Sequence, residues 1–224
     1  MPYRKTPLIA DQIYHVFNRS VARQPIFLTD TDYRRALAVT EYYSYLKPAL
    51  RFSHYNRLQP PQKNEFFKNL KKNSKPCIEL LAFCFMPNHL HFLIKEIKEN
   101  GIATFMSNFQ NSYAKYFNLK TDRSGSLFQA MFKAVRIETD EQLIHVARYI
   151  HLNPITGFIL KDIEELSNYP WSSFPIYLGK QTLDILNKDT VLSFFSSVKR
   201  FIDFTRDQIN YQRDLDKIKH LLLE

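Results

Sequence analysis

The 224-residue sequence has little glycine and little cysteine, two residue types that often mark functional motifs. Its four glycines form no GxGxxG and no P-loop motif, so the sequence excludes the usual phosphate-binding glycine loops and gives no support for nucleotide-driven chemistry. The two cysteines, Cys77 and Cys84, form no CxxC pair and indicate neither a disulfide framework nor a zinc knuckle. Both are typical of strand or core residues in a reducing compartment, so we predict a cytoplasmic protein.

Long apolar runs are also missing. No stretch of about 18 consecutive apolar residues occurs, so we expect no membrane-spanning helix. The N-terminal residues contain neither an uninterrupted apolar run nor a small-residue cleavage site, which argues against a signal peptide. Both absences agree with the predicted cytoplasmic location.

Acidic residues are outnumbered by basic ones. The chain has 31 lysines and arginines against 22 aspartates and glutamates, which gives a formal net charge of +9 and a pI near 9.4. A basic balance of this size favours a polyanionic partner, with nucleic acid first and an anionic membrane second. Hydrophobic residues make up 45% of the chain, which is enough for a packed core and argues against global disorder.

Hydrophobic periodicity predicts alternating strands and helices with one apolar face. In chain order these are strand 12–18, helix 29–46, two strands within 77–95 joined at Met86–Asn88, helix 99–118, strand 127–137 and helix 139–152. We predict that Pro154 ends the last helix, since the residue before a proline resists the helical conformation. The order predicts an α+β fold: a ferredoxin-like antiparallel sheet with helices on one face, plus an extra helix.

Residues 48–76 are strongly basic, with seven lysines and arginines against one acid, Glu65. We interpret them as an inserted basic helical segment or long loop that Pro60-Pro61 breaks in the middle. Its aromatic residues either stack on nucleic-acid bases or pack onto the domain, and the sequence leaves both open. These aromatics are Phe52, Tyr55, Phe66 and Phe67. We predict a catalytic domain over 1–160, including this insertion, and a helical C-terminal extension over 161–224.

Two histidines form the first candidate site. His89 and His91 lie two apart in a predicted strand, so both imidazoles project to the same side. The flanking residues are apolar, and two histidines in such a strand cost desolvation energy unless they are paired or bound to a metal. The alternative is a pair of polar residues on a half-exposed face. A metal held by two histidines needs a third ligand and usually keeps positions open for substrate.

Candidates for the rest of the site lie on the helix before Pro154. Tyr149 and Asn153 are four apart and share one helical face, with His145 one turn earlier. A tyrosine hydroxyl near a metal-held phosphate is a plausible nucleophile. The amide oxygen of Asn153 suits a hard cation such as Mg²⁺ or Mn²⁺. On its own, Tyr149 is one of 13 tyrosines, and the residue alone favours a core aromatic over a nucleophile.

Several segments together resemble one known family. FMPNHLHFLIKE resembles the HUH motif of single-tyrosine transposases, and RYIHLNPITGFI resembles their tyrosine-bearing helix. SGSLFQAMFKAVRIETDEQL and YPWSSFPIYLG are similar to the REP-associated tyrosine transposase branch. The resemblance runs from about Tyr14 to Gly179, and a weaker resemblance continues in VLSFFSSVKRFIDF.

This resemblance implies a role for each matching residue. His89 and His91 match the metal ligands, and Tyr149 matches the nucleophile that forms a 5′-phosphotyrosine link with single-stranded DNA. Asn153 matches the third, amide-type ligand, which is glutamine in some relatives, and His145 is its possible substitute. Tyr113 and Tyr116 are rival tyrosines that fit better as core or DNA-stacking aromatics.

The resemblance also implies a substrate: single-stranded DNA cut near imperfect, REP-like hairpins. We predict phosphate contacts from basic residues near the site in sequence, each of which could also be an ordinary surface charge. They are Lys115, Arg123, Lys133, Arg136 and Arg148. The alternatives are a non-catalytic DNA or RNA hairpin-binding protein that keeps the fold, and a metal hydrolase that uses water as its nucleophile. The sequence leaves monomer and homodimer both open.

Overall fold

The computed structural model describes residues 7–45 and 48–209. Its four strands are β1 (Ile13–Arg19), β2 (Ile78–Met86), β3 (His89–Glu96) and β4 (Lys133–Ile137). Its longer helices are α1 (Asp30–Tyr43), α3 (Pro60–Asn73), α4 (Gly101–Lys120), α5 (Asp140–Thr156) and α9 (Val198–Arg206). The short helices are α2 (Phe52–Tyr55), α6 (Ile163–Leu166), α7 (Phe174–Tyr177) and α8 (Asp189–Leu192).

The four strands form one antiparallel sheet in the order β2-β3-β1-β4. With α1 and α4 as crossovers, this is the ferredoxin-like α+β arrangement that the sequence predicts. Pro87 and Asn88 form the tight turn between β2 and β3, in which Met86 pairs with His89. In the central pair, Phe17 lies opposite His91 and Arg19 lies opposite His89. The sheet therefore brings the end of β1 beside the two histidines.

The two faces of the sheet are covered by different helices. On one face Phe92 packs against Phe105 and Phe109 of α4, with ring centroids 5.4 and 5.7 Å apart. On the other face the alternate residue His91 meets α5, where it contacts Tyr149. The crossover helices thus lie on one face, as predicted, and α5 is the extra helix that covers the second face. No helix in the described ranges is long and apolar enough to cross a bilayer.

The two largest errors in the predicted boundaries are at the start of one strand and at the end of one helix. The predicted strand 127–137 is a strand only from Lys133. Before it, Phe128 forms an isolated antiparallel bridge with Ser20, and the residues between Phe128 and Lys133 leave the ladder with β1. The last predicted helix does not end at Pro154 but continues to Thr156. A proline so close to a helix end removes a single backbone hydrogen bond, and the N–H of Gly157 still bonds to the carbonyl of Asn153.

The basic insertion folds into α2 and α3, and its aromatic residues pack onto α1. Phe52 is 2% exposed, and its ring centroid is 5.2 Å from that of Tyr42. Tyr55 and Phe66 contact the same Tyr42 ring. Pro60 begins α3 instead of breaking a helix, since proline fits the first helical turn. Of the two interpretations left open, packing onto the domain is the one found for these rings.

The C-terminal extension covers the outer edge of β2. The carbonyl of Trp171 accepts a hydrogen bond from Phe85 N–H, and Ser173 N–H donates to the Phe83 carbonyl. Because its edge is covered in this way, β2 is buried almost throughout without being a central strand. Part of the predicted helical tail, residues 210–224, lies outside the described residues.

Candidate active site

The two predicted metal ligands lie at the start of β3, on the face of the sheet that α5 covers. His89 and His91 project to the same side, with ring centroids 5.0 Å apart and ring planes at 85°. His91 is 5% exposed, and His89 is partly buried. The structure therefore brings the two imidazoles together, as their spacing in a strand requires.

Tyr149 reaches the same place from α5. Its ring centroid lies 5.7 Å from that of His91, with the two rings perpendicular. Tyr149, Asn153 and both histidines line one cavity of about 600 Å³, which we call the site cavity. This volume lies within the range of ligand-binding sites. Residues from β1, β3 and α5 thus meet in one space that could accept a nucleotide.

Asn153 lies one helical turn beyond Tyr149 and is 6% exposed. Its amide Nδ2 donates a 2.9 Å hydrogen bond to the main-chain carbonyl of Tyr149. Because the nitrogen is committed to the helix, the amide oxygen Oδ1 is the atom left for other partners. The Asn153 side chain also lies within hydrogen-bonding reach of the His89 ring when that ring is protonated. The structure thus places an amide oxygen beside the histidine pair.

Asn88 fixes the orientation of His89. The amide nitrogen of Asn88 donates to the carbonyl of Arg23 at 2.9 Å, which identifies the other side-chain atom as the oxygen. That oxygen lies 2.7 Å from Nδ1 of His89. Since an amide oxygen only accepts, Nδ1 of His89 carries the hydrogen and Nε2 has the lone pair when the ring is neutral.

The surroundings of His89 favour its neutral form. Burial, together with the positive charge of Arg19, lowers the pKa of His89 to about 4, although a hydrogen bond from the protonated ring to Asn153 opposes both effects. The ring is therefore neutral at pH 7. A neutral imidazole is the form that binds a metal ion.

A third histidine, His15 of β1, belongs to the site and has no counterpart in the sequence prediction. Its Nε2 lies 2.9 Å from Nδ1 of His91, and the two rings stack with centroids 5.2 Å apart. Burial lowers the pKa of His15 to about 4. One sequence feature pointed to His15: side chains alternate along β1, so His15 and Phe17 lie on one face. Sequence alone does not show which strand lies next to β1.

Three basic side chains line the site cavity: Arg19, Arg23 and Lys133. Lys133 is among the predicted DNA contacts, whereas the sequence prediction missed Arg19 and Arg23. Arg19 ends β1 directly opposite His89, and Arg23 follows in the turn that Asn88 contacts. Only the pairing of β1 with β3 brings these two arginines, about 70 residues away in sequence, to the histidines.

The other predicted DNA contacts lie elsewhere. Lys115 lines a second cavity of about 310 Å³, which shares Gln129 with the site cavity. Arg123 donates to Asn118 and Ser126, and Arg136 donates to Gln12. Arg148 is 6% exposed, and its guanidinium lies 4.0 Å above the ring of Phe204 in α9. Arg148 thus joins α5 to the C-terminal extension.

The rival candidates for the site also lie elsewhere. His145 has its Nδ1 2.6 Å from Arg148 and its ring against Phe204, and it is not among the residues that line the site cavity. Tyr113 is fully buried and donates to the carbonyl of Ile26, and Tyr116 donates to Asp32. Both tyrosines belong to α4, on the opposite face of the sheet from the histidine pair. Tyr113 belongs to the core, and the partly buried Tyr116 packs against it.

The donors at the histidine pair fit a divalent metal ion. Within the part of the chain that the structure describes, no three His, Cys, Asp or Glu side chains form a group suited to a metal. A metal held by His89 and His91 therefore needs a ligand of another kind, and the Asn153 amide oxygen is next to them. Two imidazoles and one amide oxygen are a mixed nitrogen and oxygen set that suits Mn²⁺ and is compatible with Mg²⁺.

The chain is similar to known transposases. A solved structure of a REP-associated tyrosine transposase bound to a REP hairpin is 16% identical, with a TM-score of 0.49 over 84% of this chain and 94% of that one. No curated protein matches the chain. Residues 11–153, more than half of the chain, match the model of the family described as IS200-like transposases. This match includes both histidines, Tyr149 and Asn153, and the chain belongs to the IS200-like transposase family.

Proposed function

We propose that this transposase is a metal-dependent enzyme that cuts and rejoins single-stranded DNA near hairpins through a 5′-phosphotyrosine intermediate on Tyr149. The observation that carries the proposal is the meeting of Tyr149, His89, His91 and Asn153 in one cavity. No other tyrosine of the described residues lines that cavity.

The proposed reaction is a transesterification. The Tyr149 hydroxyl oxygen attacks a backbone phosphorus, the bond from phosphorus to the 3′ oxygen breaks, and that oxygen leaves as a 3′ hydroxyl with a proton. One phosphoester replaces another, so rejoining needs no nucleotide energy, in agreement with the absence of a P-loop. A divalent ion held by His89, His91 and Asn153 would polarise the phosphoryl oxygen and stabilise the charge that develops there.

The basic wall of the site cavity suits the DNA backbone. Arg19, Arg23 and Lys133 place three positive charges around the space beside Tyr149. Lys133 also lies 6.0 Å from the ring centroid of Phe17, which lines the same cavity. Cations bind phosphates, while an aromatic face offers a stacking surface to a base, and together they suit single-stranded DNA. The preference for REP-like hairpins rests on the resemblance of the sequence motifs.

The proposed site is built from a single chain. Tyr149 and the histidines that it contacts belong to the same molecule, and α5 packs directly on β2 and β3. No second copy is needed to bring the tyrosine to the metal ligands. We therefore propose that a monomer is sufficient for cleavage, which leaves a homodimer possible for other steps.

The test is formation of a covalent adduct. The wild-type protein, a hairpin-flanked oligonucleotide and Mn²⁺ should give a protein–DNA species that survives denaturing electrophoresis. Tyr149→Phe should abolish it while retaining binding, and Tyr116→Phe, a matched change on the far side of the sheet, should retain it. EDTA should prevent it in the wild type.

Three results would contradict this proposal in different ways. An adduct that persists in Tyr149→Phe would show another nucleophile. Binding without cleavage by the wild type, over a series of hairpins with either metal, would favour the non-catalytic hairpin-binding protein. Hydrolysis that survives in Tyr149→Phe without any adduct would indicate water as the nucleophile.

A further inference from the structure

The proposed metal site contains two imidazoles, and each is held at the same ring nitrogen. Nδ1 of His89 lies 2.7 Å from the amide oxygen of Asn88, and Nδ1 of His91 lies 2.9 Å from Nε2 of His15. The other nitrogen of each ring, Nε2, is the atom that each histidine can give to a metal. The two neighbours, Asn88 and His15, therefore occupy equivalent places.

We propose that His15 is a positioning residue that accepts a hydrogen bond from Nδ1 of His91 and so makes Nε2 of His91 the metal-binding nitrogen. This inference rests on the proposed function, since it assigns a role toward the metal. A neutral imidazole has one N–H and one lone pair. If Nδ1 of His91 donates to His15, the lone pair of His91 is on Nε2. The reverse arrangement would put the hydrogen on Nε2, where it blocks a metal.

The strand register explains why His15 can perform this task. In the β1–β3 pair, Phe17 lies opposite His91 and His15 lies opposite Leu93, so His15 is the diagonal neighbour of His91 on the same face. Diagonal neighbours in a sheet are within reach of aromatic side chains. Both strands are central in the sheet, so the geometry is set by two hydrogen-bonded backbones and not by a loop.

Ring packing holds His15 and His91 in contact. Phe17 stacks on His15 and on His91, with centroids 4.8 and 5.7 Å apart, and Tyr149 meets both imidazoles edge-on. Rotation of His91 about its side-chain bonds would break the contact with His15 and the stack on Phe17 together. Hydrogen-bond partners behind a metal ligand orient it and fix its tautomer, and their loss typically weakens metal affinity about 10- to 100-fold.

Two substitutions separate positioning from simple packing. His15→Phe keeps the ring volume and the stacking but removes the acceptor, whereas His15→Gln keeps an acceptor near the position of Nε2 but loses the ring. For Mn²⁺ binding followed by titration calorimetry, we expect His15→Phe to weaken affinity about 10- to 100-fold. The Mn²⁺ affinity of His15→Gln should stay much closer to that of the wild type. The control is His54→Phe, at an exposed histidine of α2 that is remote from the site.

A second readout needs no metal. Long-range ¹H–¹⁵N spectra of the metal-free protein should show His91 with its hydrogen on Nδ1 in the wild type and in His15→Gln, and a mixture of tautomers in His15→Phe. A wild-type hydrogen on Nε2 of His91 would overturn the inference, even if His15→Phe fails to fold. Equal losses of affinity in the two variants would also overturn it, since packing would then explain both.

The same experiments distinguish the two proposals. A wild-type protein that binds no Mn²⁺ contradicts the proposed metal-dependent function. In that case the tautomer of His91 still decides whether His15 orients it.

Discussion

The side-chain amide of Asn153 donates a hydrogen bond to the main-chain carbonyl of Tyr149, with 2.9 Å between the two atoms. The residue proposed as third metal ligand is therefore oriented by the helical turn that presents the proposed nucleophile. A change in that turn moves both groups at once. Pro154 follows Asn153 inside the same helix and stiffens its final turn.

Asn153→Ala removes the amide oxygen from the histidine pair. We expect cleavage to fall by about two orders of magnitude, because a ligand that supports phosphoryl polarisation is lost. Binding of the oligonucleotide without metal should be unchanged. Thr156→Ala is the control, since Thr156 is in the same turn and its hydroxyl donates to the Asn153 carbonyl. Single-turnover cleavage at saturating Mn²⁺ measures the effect, and equal rates for Asn153→Ala and wild type would exclude Asn153 as a ligand.

Arg19→Gln should weaken single-stranded DNA binding in a salt-dependent manner. If Arg19 neutralises one phosphate, the slope of log K against log salt concentration should fall by about 0.7. Fluorescence anisotropy at several salt concentrations measures this slope. Arg200→Gln, at an exposed position on α9, should leave it unchanged. Identical slopes for Arg19→Gln and wild type would mean that Arg19 contacts no phosphate.

Arg148→Ala should lower stability and not DNA affinity. The Arg148 guanidinium donates to the Phe204 carbonyl at 3.1 Å and covers the Phe204 ring, so its loss removes a buried contact between α5 and α9. We expect a decrease of about 1–3 kcal/mol in the free energy of unfolding. Arg200→Ala should change it by less than about 0.5 kcal/mol. Urea denaturation measures the free energy of unfolding of both variants. If the salt dependence of DNA binding is unchanged in the folded Arg148→Ala protein, Arg148 is not a DNA contact.

His151 should make the protein less stable as the pH falls. It is fully buried, with Nε2 2.8 Å from the Ser173 hydroxyl, and burial lowers its pKa to about 3. The unfolded chain binds a proton at His151 below about pH 6.5, whereas the folded chain does not, so the free energy of unfolding decreases from about pH 6.5 toward pH 3. One such group contributes at most about 1.4 kcal/mol per pH unit.

The measurement is the change of the free energy of unfolding with pH, and not its value at one pH. His151→Gln removes the titrating group, so unfolding free energies from urea titrations between pH 7 and pH 5 should depend less on pH than in the wild type. His54→Gln, at an exposed position, should keep the wild-type slope. If His151→Gln has the wild-type slope as well, another group causes the acid sensitivity.

Relations within one element were predictable from sequence. His89 and His91 share a strand face because they are two apart, and Tyr149 and Asn153 share a helix face because they are four apart. The hairpin turn at Pro87-Asn88 and the order of strands and long helices follow from equally local patterns. The two largest boundary errors, at Lys133 and at Pro154, arise where contacts with other parts of the chain override local preference.

Relations between elements were decided by the tertiary structure. His15 and His91 are 76 positions apart, and only the register of β1 against β3 makes them neighbours. The same register carries Arg19 and Arg23 to the site, and the packing of α5 on the sheet selects Tyr149 while α4 keeps Tyr113 on the opposite face.

The sequence by itself therefore determined the chemical groups of this protein: a pair of histidines on one strand face and a tyrosine with an amide on one helix face. The tertiary structure decided which side chains surround them and which of the predicted basic residues reach the site. The physical reason is that side-chain periodicity depends on neighbours two to four residues away, whereas register and packing depend on the burial of apolar surface by the whole chain.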